Sequence, residues 1–278
     1  MPMSIENWLQ SARGQLNTDS ARLDAELILA HVLQVSRTYL YTWSDRLLTA
    51  EQVMAASSLL ALRQQGQPIA YLCGMREFWS LPLSVSSATL IPRPDTETLV
   101  EWALTLPLPQ HARVLDLGTG TGAIALALAS ERPQWHITAV DSQPEAVALA
   151  LSNRNKLQLP IQVQLSDWFS AVTGSFDLIV SNPPYIDPLD PHLQQGDVRF
   201  EPHSALIAAD HGMADLTHII EQAPRFLHPD GWLLLEHGYQ QAELVVAALQ
   251  RQHFVGCRTQ SDLAGQPRIS GGCWHAQT

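Results

Sequence analysis

The chain of 278 residues carries 16 Lys+Arg against 27 Asp+Glu, a formal net charge of −11, and is 46% hydrophobic with 15% charged residues. Such a composition buries a substantial core, which excludes a disordered, fibrous or low-complexity chain, and the length suits one large domain or two ordinary ones. The N-terminus lacks a basic stretch followed by an apolar one, and no later apolar run approaches the roughly 18 residues of a bilayer span, so a cytoplasmic protein with no membrane association is expected.

From Asn7 to about Gly66 the spacing predicts helices. Leu23, Leu27, Ala30 or His31 and Leu33 recur three or four residues apart, and Thr49-Ala50-Glu51-Gln52 has the spacing of a capping box ahead of Val53, Met54, Leu59, Leu60 and Leu62. Gly66 and Pro68 stop that helix, which leaves a small helical bundle. Glu77 to Val85 reads as a short hairpin-like β connector, and Pro92 and Pro94 precede a helix opening at Asp95 or Thr96. The domain boundary falls in this connector: residues 1–73 form a helical domain, 74–90 the hairpin, and 91–278 a second domain. After residue 110 the rhythm becomes strand, glycine-rich turn, helix, strand. Arg113–Leu117 and His136–Asp141 are strands on either side of a helix from about Gly122 to Arg132, and Pro144 opens the next helix. Ile161–Leu165, Phe176–Ser181 and Trp232–Glu236 are further strands, and Phe254–Trp274 suits a closing antiparallel pair. The whole pattern is that of an α/β fold with a doubly wound sheet.

Residues 1–85 hold six Arg against seven acids, whereas residues 86–278 hold ten basic against twenty acidic side chains. Scattered arginines and Lys156, the only lysine, do not make the clustered cations of a phosphate-backbone surface. No direct nucleic-acid partner is expected. Cys73, Cys257 and Cys273 are odd in number and widely spaced, which speaks for neither a disulfide framework nor a zinc site.

The sharpest local feature is Asp116-Leu117-Gly118-Thr119-Gly120-Thr121-Gly122, between a buried strand and a helix. Three glycines leave the turn bare, so a ligand can lie against the main chain at a helix N-terminus; a plain tight β–α turn is the alternative. Their strict alternation departs from G-x-G-x-x-G, so the NAD-type fingerprint is not met. Asp141 ends the next strand about twenty residues on, where a carboxylate can accept both hydroxyls of a ribose, and the two features together indicate a nucleoside-bearing ligand. Asp167-Trp168, ending the third strand, is placed to contact an adenine through a carboxylate, a backbone amide and a bulky ring; core packing explains Trp168 equally well.

Ser181-Asn182-Pro183-Pro184-Tyr185 follows the fourth strand, at the sheet edge where such folds hold ligands. The prolines fix the backbone, so the Asn182 side-chain oxygen and the Pro183 carbonyl can point together at one planar NH2 group, with Tyr185 walling or stacking on it. With both hydrogens held, the nitrogen of an amide or exocyclic amine becomes more available to an electrophilic methyl. Asparagine is no general base, so the proton leaves to solvent after transfer. A proline-stiffened loop with an Asn turn is the bland alternative. The eleven histidines form no H-E-x-x-H pair; His192, His203 and His211 read as loop or surface residues, and no metal is expected.

On Gly74-x-Arg76-Glu77-Phe78, Ile91-Pro92-Arg93-Pro94-Asp95-Thr96-Glu97, Gly118 to Gly122, Asn182 to Tyr185 and Arg199-Phe200-Glu201-Pro202, the sequence resembles the PrmC/HemK family of peptide chain release factor N5-glutamine methyltransferases. The resemblance spans nearly the whole chain, with Ile269 to Thr278 matching least. It implies a Rossmann-like class I S-adenosylmethionine methyltransferase domain, preceded by a small all-α bundle for substrate recognition and a β-hairpin connector. By the same resemblance S-adenosyl-L-methionine is the cofactor, held by Gly118, Thr119, Gly120, Thr121, Gly122, Asp141, Trp168 and Asn182, with Asp167 beside them. The implied substrate is the glutamine of the Gly-Gly-Gln motif in class 1 peptide chain release factors, its amide held by Asn182, Pro183, Pro184 and Tyr185, with Asn182, Pro183 and Tyr185 as the catalytic set. Arg93 either lines the entrance or pairs with Asp95 or Glu97, and Glu201-Pro202 either walls the substrate channel or anchors a loop. A sister enzyme acting on a ribosomal-protein glutamine is the main competitor. A nucleic-acid adenine-N6 methyltransferase would use the same Asn-Pro-Pro-Tyr geometry, but the acidic catalytic region argues against it. A vestigial site behind a partner-binding module is countered by the intact motifs.

Overall fold

The computed structural model describes residues 3–275. They divide into two compact units: one runs to Met75 and takes in Gln194–Phe200, and the other holds Arg76–Leu193 and the chain from Glu201 onward.

The first unit contains α1 (Ile5–Gln15), α2 (Ala21–Leu33), α3 (Arg37–Thr42), α4 (Ala50–Gln64) and α5 (Ile69–Cys73). The capping box closes as its spacing requires: Thr49 Oγ1 accepts from the Gln52 amide (3.2 Å) and Gln52 Oε1 from the Thr49 amide (3.0 Å). Helix α2 does not bury the stripe its leucines suggest. Leu23 is exposed and Leu27 and Leu33 are half-buried, while Ala25, Ile28 and Leu29 enter the core with Ile5, Trp8, Leu40 and Leu60. Two carboxylates account for the difference. Asp24 is buried against Arg63 (2.8 Å) and Ser20 (3.0 Å), and Glu26 against Arg22 (2.9 Å), Arg37 (2.6 Å) and the Tyr41 hydroxyl. Burial opposes the Glu26 charge, but the Tyr41 hydroxyl and the two guanidiniums outweigh it and hold the carboxyl below its ordinary range. Buried charges persist only when paired and hydrogen-bonded in this way, and these two acids share the inward face of the helix with Ala25, Ile28 and Leu29. Arg63 also reaches Asp197 (3.3 Å), and Arg199 donates to the Gln65 carbonyl (3.1 Å), fastening Gln194–Phe200 to this unit.

The hairpin pairs β1 (Met75–Phe78) with β2 (Leu81–Ser84) and turns through Trp79 (φ 51°) and Ser80 (φ 59°), the left-handed pair that matches the twist of a two-residue connection. Pro94–Thr96 makes one 3-10 turn, so α6 (Glu97–Thr105) opens slightly later than expected. Then follow β3 (Arg113–Leu117), α7 (Ala123–Glu131), β4 (His136–Asp141), α8 (Pro144–Leu157), β5 (Ile161–Leu165), β6 (Phe176–Ser181), β7 (Leu227–Glu236), β8 (Phe254–Ser261) and β9 (Pro267–Trp274). The seven strands run in the order β5-β4-β3-β6-β7-β9-β8, parallel from β5 to β7 and antiparallel at β9 and β8, so the doubly wound sheet and its closing pair are both present. Strand β7 begins earlier than expected. Its pairing with β6 jumps from Phe176↔Leu227 to Leu178↔Trp232, and the intervening residues bulge with Asp230 at φ 65°, so a run that reads as a turn is carried inside the strand.

Strand alternation sends Val114, Leu178, Val180 and Leu234 to one face, under Trp102 of α6 and the apolar residues of α7. Leu115, Ile179, Leu233 and Leu235 go to the other, under the helices Ala214–Gln222 and Ala242–Arg251. A parallel sheet needs both faces covered in this manner. Strand order reverses between β3 and β6, which opens a crevice at the strands' carboxyl ends. Among the described residues no helix is long and apolar enough to cross a membrane.

Candidate active site

The segments after β3, β4, β5 and β6 line one cleft at that crevice. Gly118 to Thr121, Asp141 to Gln143, Ser166, Trp168, Asn182 and Pro184 form much of its wall, joined by Arg93 and Thr96 from the stretch before α6. Four separate turns thus converge because parallel strands end at one edge.

In the glycine turn all three glycines are left-handed, with φ of 68°, 56° and 84° at Gly118, Gly120 and Gly122. Gly122 caps α7 and stands outside the cleft wall; a Cβ there would lie 3.1 Å from Leu126 Cδ1 and 3.4 Å from Ala150 Cβ, so its bareness serves helix packing. Thr119 Oγ1 donates to Asp116 Oδ2 (2.6 Å). Asp116 is fully buried, and burial pushes its carboxyl up to about 7 against the pull of that hydroxyl. Its Oδ1 has no hydrogen-bond partner.

Asp141 holds the turn in place: Oδ2 accepts from the Gly120 amide (2.8 Å) and Oδ1 from the Gln143 amide (3.0 Å). Burial raises its pKa while those amides and that of Ser142 hold it down. Each carboxylate oxygen keeps a further lone pair for a ligand hydroxyl.

After β5 the structure places Asp167 differently from its neighbours. Its residue is exposed and lies outside the cleft wall, while Ser166 and Trp168 face the cleft on either side of it. The local turn is responsible: the Ser166 hydroxyl donates to the Trp168 carbonyl (2.8 Å) and accepts from the Ala171 amide (3.0 Å), with Trp168 at φ 44°. The Trp168 ring lies near Gly118, where a Cβ would approach it to 3.5 Å.

At the other end of the cleft, Asn182 Nδ2 donates to Thr96 Oγ1 (3.2 Å), which leaves the side-chain oxygen to accept from a ligand. Pro184 lines the cleft beside it, and Pro183 is buried between the two. Tyr185 departs from the role expected of it. It does not line the cleft but turns into the core, its hydroxyl donating to Glu236 Oε1 (3.3 Å). Burial, reinforced by the Glu236 charge, pushes that phenol far above its ordinary pKa, so it stays neutral. Arg93 lines the cleft and pairs with buried Glu201 (2.7 Å), not with Asp95 or Glu97; Asp95 lies 3.8 Å from Arg268, and Glu97 accepts the Trp79 amide (2.8 Å). Glu201 is therefore a loop anchor.

His192 and His211 are exposed and bonded to Asp190 and Asp187 (2.7 Å each), and His203 is exposed. One cluster among the described residues gathers metal-ligating atoms, Asp230, Cys273 and His275 within 4.8 Å. It sits at the bulge of β7, away from the carboxyl edge, and its carboxylate and imidazole already pair with each other (2.5 Å).

Sequence reasoning missed Thr96, Ser166, Gln143 and Glu236. Thr96 stood in the Ile-Pro-Arg-Pro-Asp-Thr-Glu stretch, but only the fold brings it to Asn182, 86 positions on.

Two family models match the chain: "PrmC N-terminal domain" over residues 7–74 and "Methyltransferase small domain" over residues 95–197. A Salmonella typhimurium protein named release factor glutamine methyltransferase is 55% identical over 273 residues, covering 97% of this chain and 99% of its own length. The Escherichia coli K12 protein of the same name is 54% identical over 276 residues, covering 98% and 100%. Among solved structures, a Pyrococcus furiosus methyltransferase aligns with a TM-score of 0.55 at 17% identity over 79% of this chain and 100% of that one, a likeness of fold alone. Identity of that order along nearly the full length, over a cleft that joins a glycine turn to an anchored Asn182, settles descent: the chain belongs to the family of release factor glutamine methyltransferases.

Proposed function

We propose that this methyltransferase transfers a methyl group from S-adenosyl-L-methionine to the side-chain amide nitrogen of the glutamine in the Gly-Gly-Gln motif of class 1 peptide chain release factors, in the cytoplasm, with the helical unit recognising the protein substrate. The observation that carries the reading is the anchored Asn182, whose Nδ2 is spent on Thr96 so that its Oδ1 can receive an NH2 group. The relatives' shared name points to a glutamine amide as that group.

The cleft residues suit the cofactor. Asp141 offers a carboxylate for ribose hydroxyls, Gly118 and Gly120 give bare backbone, and Trp168 supplies a ring against Gly118. Bound there, S-adenosylmethionine supplies an electrophilic methyl group. Asn182 Oδ1 and the Pro183 carbonyl accept the two hydrogens of the glutamine NH2 and align its nitrogen for in-line attack. Because amide conjugation weakens that nucleophile, two acceptors drawing on its hydrogens raise its electron density where it is needed. Asparagine is no base, so the extra proton of the product departs to water.

Labelled methyl transfer to a release factor, to its Gly-Gly-Gln glutamine→Ala variant, to ribosomal proteins and to DNA tests the reading. Label on the release factor that vanishes in the variant is the expected result, and label on either of the other substrates instead would overturn it. Asp141→Ala should weaken cofactor binding by calorimetry about ten- to a hundredfold, since hydrogen bonds to a charged group are worth ~1.5–3 kcal/mol. Unchanged affinity would move the ribose site elsewhere.

A further inference from the structure

Behind Asn182 lies a file of buried polar side chains. Thr96, which accepts from Asn182 Nδ2, is itself buried, and its hydroxyl is close enough to the carboxyl of Glu236, the last residue of β7, to oppose that group's protonation. Glu236 is buried as well. Its Oε1 receives the Tyr185 hydroxyl (3.3 Å), and its Oε2 has no hydrogen-bond partner. A side-chain amide presents its oxygen or its nitrogen with nearly the same shape, so something must decide which end of Asn182 meets the substrate.

We propose that Glu236 is a positioning residue for methyl transfer: as a carboxylate it draws the single Thr96 proton toward itself, leaves Thr96 Oγ1 only lone pairs to offer Asn182, and so fixes that amide with Nδ2 inward and Oδ1 toward the substrate. The inference deepens the proposed function and rests on its reading of Asn182 as the acceptor for the substrate amide. With Glu236 protonated, its acid O–H can donate to Thr96 Oγ1 where the carboxylate could only accept, and Thr96 is then free to donate its own proton to Asn182, as it also is beside the donor NH2 of the Glu236→Gln side chain. The asparagine can then flip and present NH2 to NH2, a pairing of donors that holds nothing.

The groups facing Glu236 are the Tyr185 hydroxyl after β6, Thr96 and Asp95 from the turn ahead of α6, and Arg268 of β9; His237, next in the chain, is turned to the Gly238 carbonyl (2.8 Å) and Ser270 (2.7 Å). Burial pushes the Glu236 carboxyl up to about 7 against the pull of Thr96, Arg268 and Tyr185, while the Asp95 charge adds to the rise. The positioning is therefore in force above neutrality and released below it. A carboxyl whose folded pKa is raised contributes stability that is full below its unfolded value and lost as pH rises through the folded one, so the neutral Glu236→Gln variant is expected to fold.

The test compares wild-type, Glu236→Gln, Thr96→Val and Thr96→Ser proteins for methyl transfer to a release factor across neutrality, alongside NMR of the full chain with 15N-labelled asparagine side chains. Wild-type kcat should fall about tenfold as pH drops through 7, whereas Glu236→Gln should start about tenfold lower and show no such step. Cofactor affinity should stay within about twofold throughout, Thr96→Val should reproduce the loss, and Thr96→Ser should recover most of it. The Asn182 Nδ2 resonance should shift with a midpoint near 7 in the wild type and hold still in Glu236→Gln. An Asn182 resonance indifferent to pH, a Glu236→Gln enzyme with the wild-type profile, or a harmless Thr96→Val would each overturn the proposal. If the release factor takes no label and the resonance still titrates, the substrate reading fails and the positioning stands.

Discussion

Asn182→Ala will lower kcat for methyl transfer by two to three orders of magnitude while changing cofactor affinity far less. The truncation removes the one acceptor that Thr96 holds in place (3.2 Å) at the reactive end of the cleft. A preorganised polar group aimed at the reacting centre is worth about 10²–10³ in rate, or ~2.7–4 kcal/mol, because it needs no reorganisation when charge develops. The Pro183 carbonyl would remain, but one acceptor cannot hold both hydrogens of an NH2 group, and the nitrogen would rotate away from the in-line direction. Steady-state kinetics with a release factor, paired with calorimetry for the cofactor, read the two effects apart. Turnover within a few fold of wild type would remove Asn182 from the reaction.

Gly212→Ala should be the most damaging single methyl group in the catalytic unit. Gly212 sits at φ +82°, and a Cβ there would lie 2.1 Å from the Tyr185 carbonyl oxygen and 2.7 Å from Gln241 Nε2. Neither neighbour can step aside cheaply. The Tyr185 carbonyl accepts from Gln241 Nε2 (3.0 Å), and the next residue is tied to Leu206 and Ala208 by backbone hydrogen bonds of 2.9 and 3.1 Å. The left-handed conformation costs an L residue ~1–2 kcal/mol, and overpacking against fixed atoms adds ~1–3 kcal/mol. For a domain of this size that sum lowers Tm by roughly 5–15 °C. The displaced segment follows the Asn182–Tyr185 motif, so turnover should fall with stability. A melting temperature within a degree of wild type would show that the loop yields freely.

Much of this was readable before any coordinates because it is local. The box at Thr49, the glycine turn, the strand rhythm and the Asn-Pro-Pro-Tyr run each depend on residues a few positions apart, where spacing and propensity decide. What stayed hidden depends on partners far along the chain. Asp24 and Glu26 look like a solvent face until Arg63 and Arg37 pair with them, and the helix then buries Ala25, Ile28 and Leu29 while Leu23 stays exposed. The turn after β5 is tied by the Ser166 hydroxyl to Trp168 and Ala171, contacts that no spacing rule announces. Tyr185 reads as an aromatic wall beside the planar NH2 group, yet its hydroxyl bonds inward to Glu236, 51 positions later. Arg93 had two acids close in sequence and chose a third, Glu201, 108 residues on. Gly212 carries no motif at all, and only the carbonyl opposite it explains why it is bare.

The helical unit is written in two pieces, one running to Met75 and the other only Gln194–Phe200. No single scissile point can therefore release it whole. A protease or a gene truncation acting at the hairpin strips away the bundle but leaves behind, on the catalytic piece, a seven-residue inset whose Asp197 and Arg199 have lost Arg63 and Gln65. The chain must finish β6 and run on past it before the bundle's last piece exists to be added, so during synthesis the first unit made is among the last to be completed.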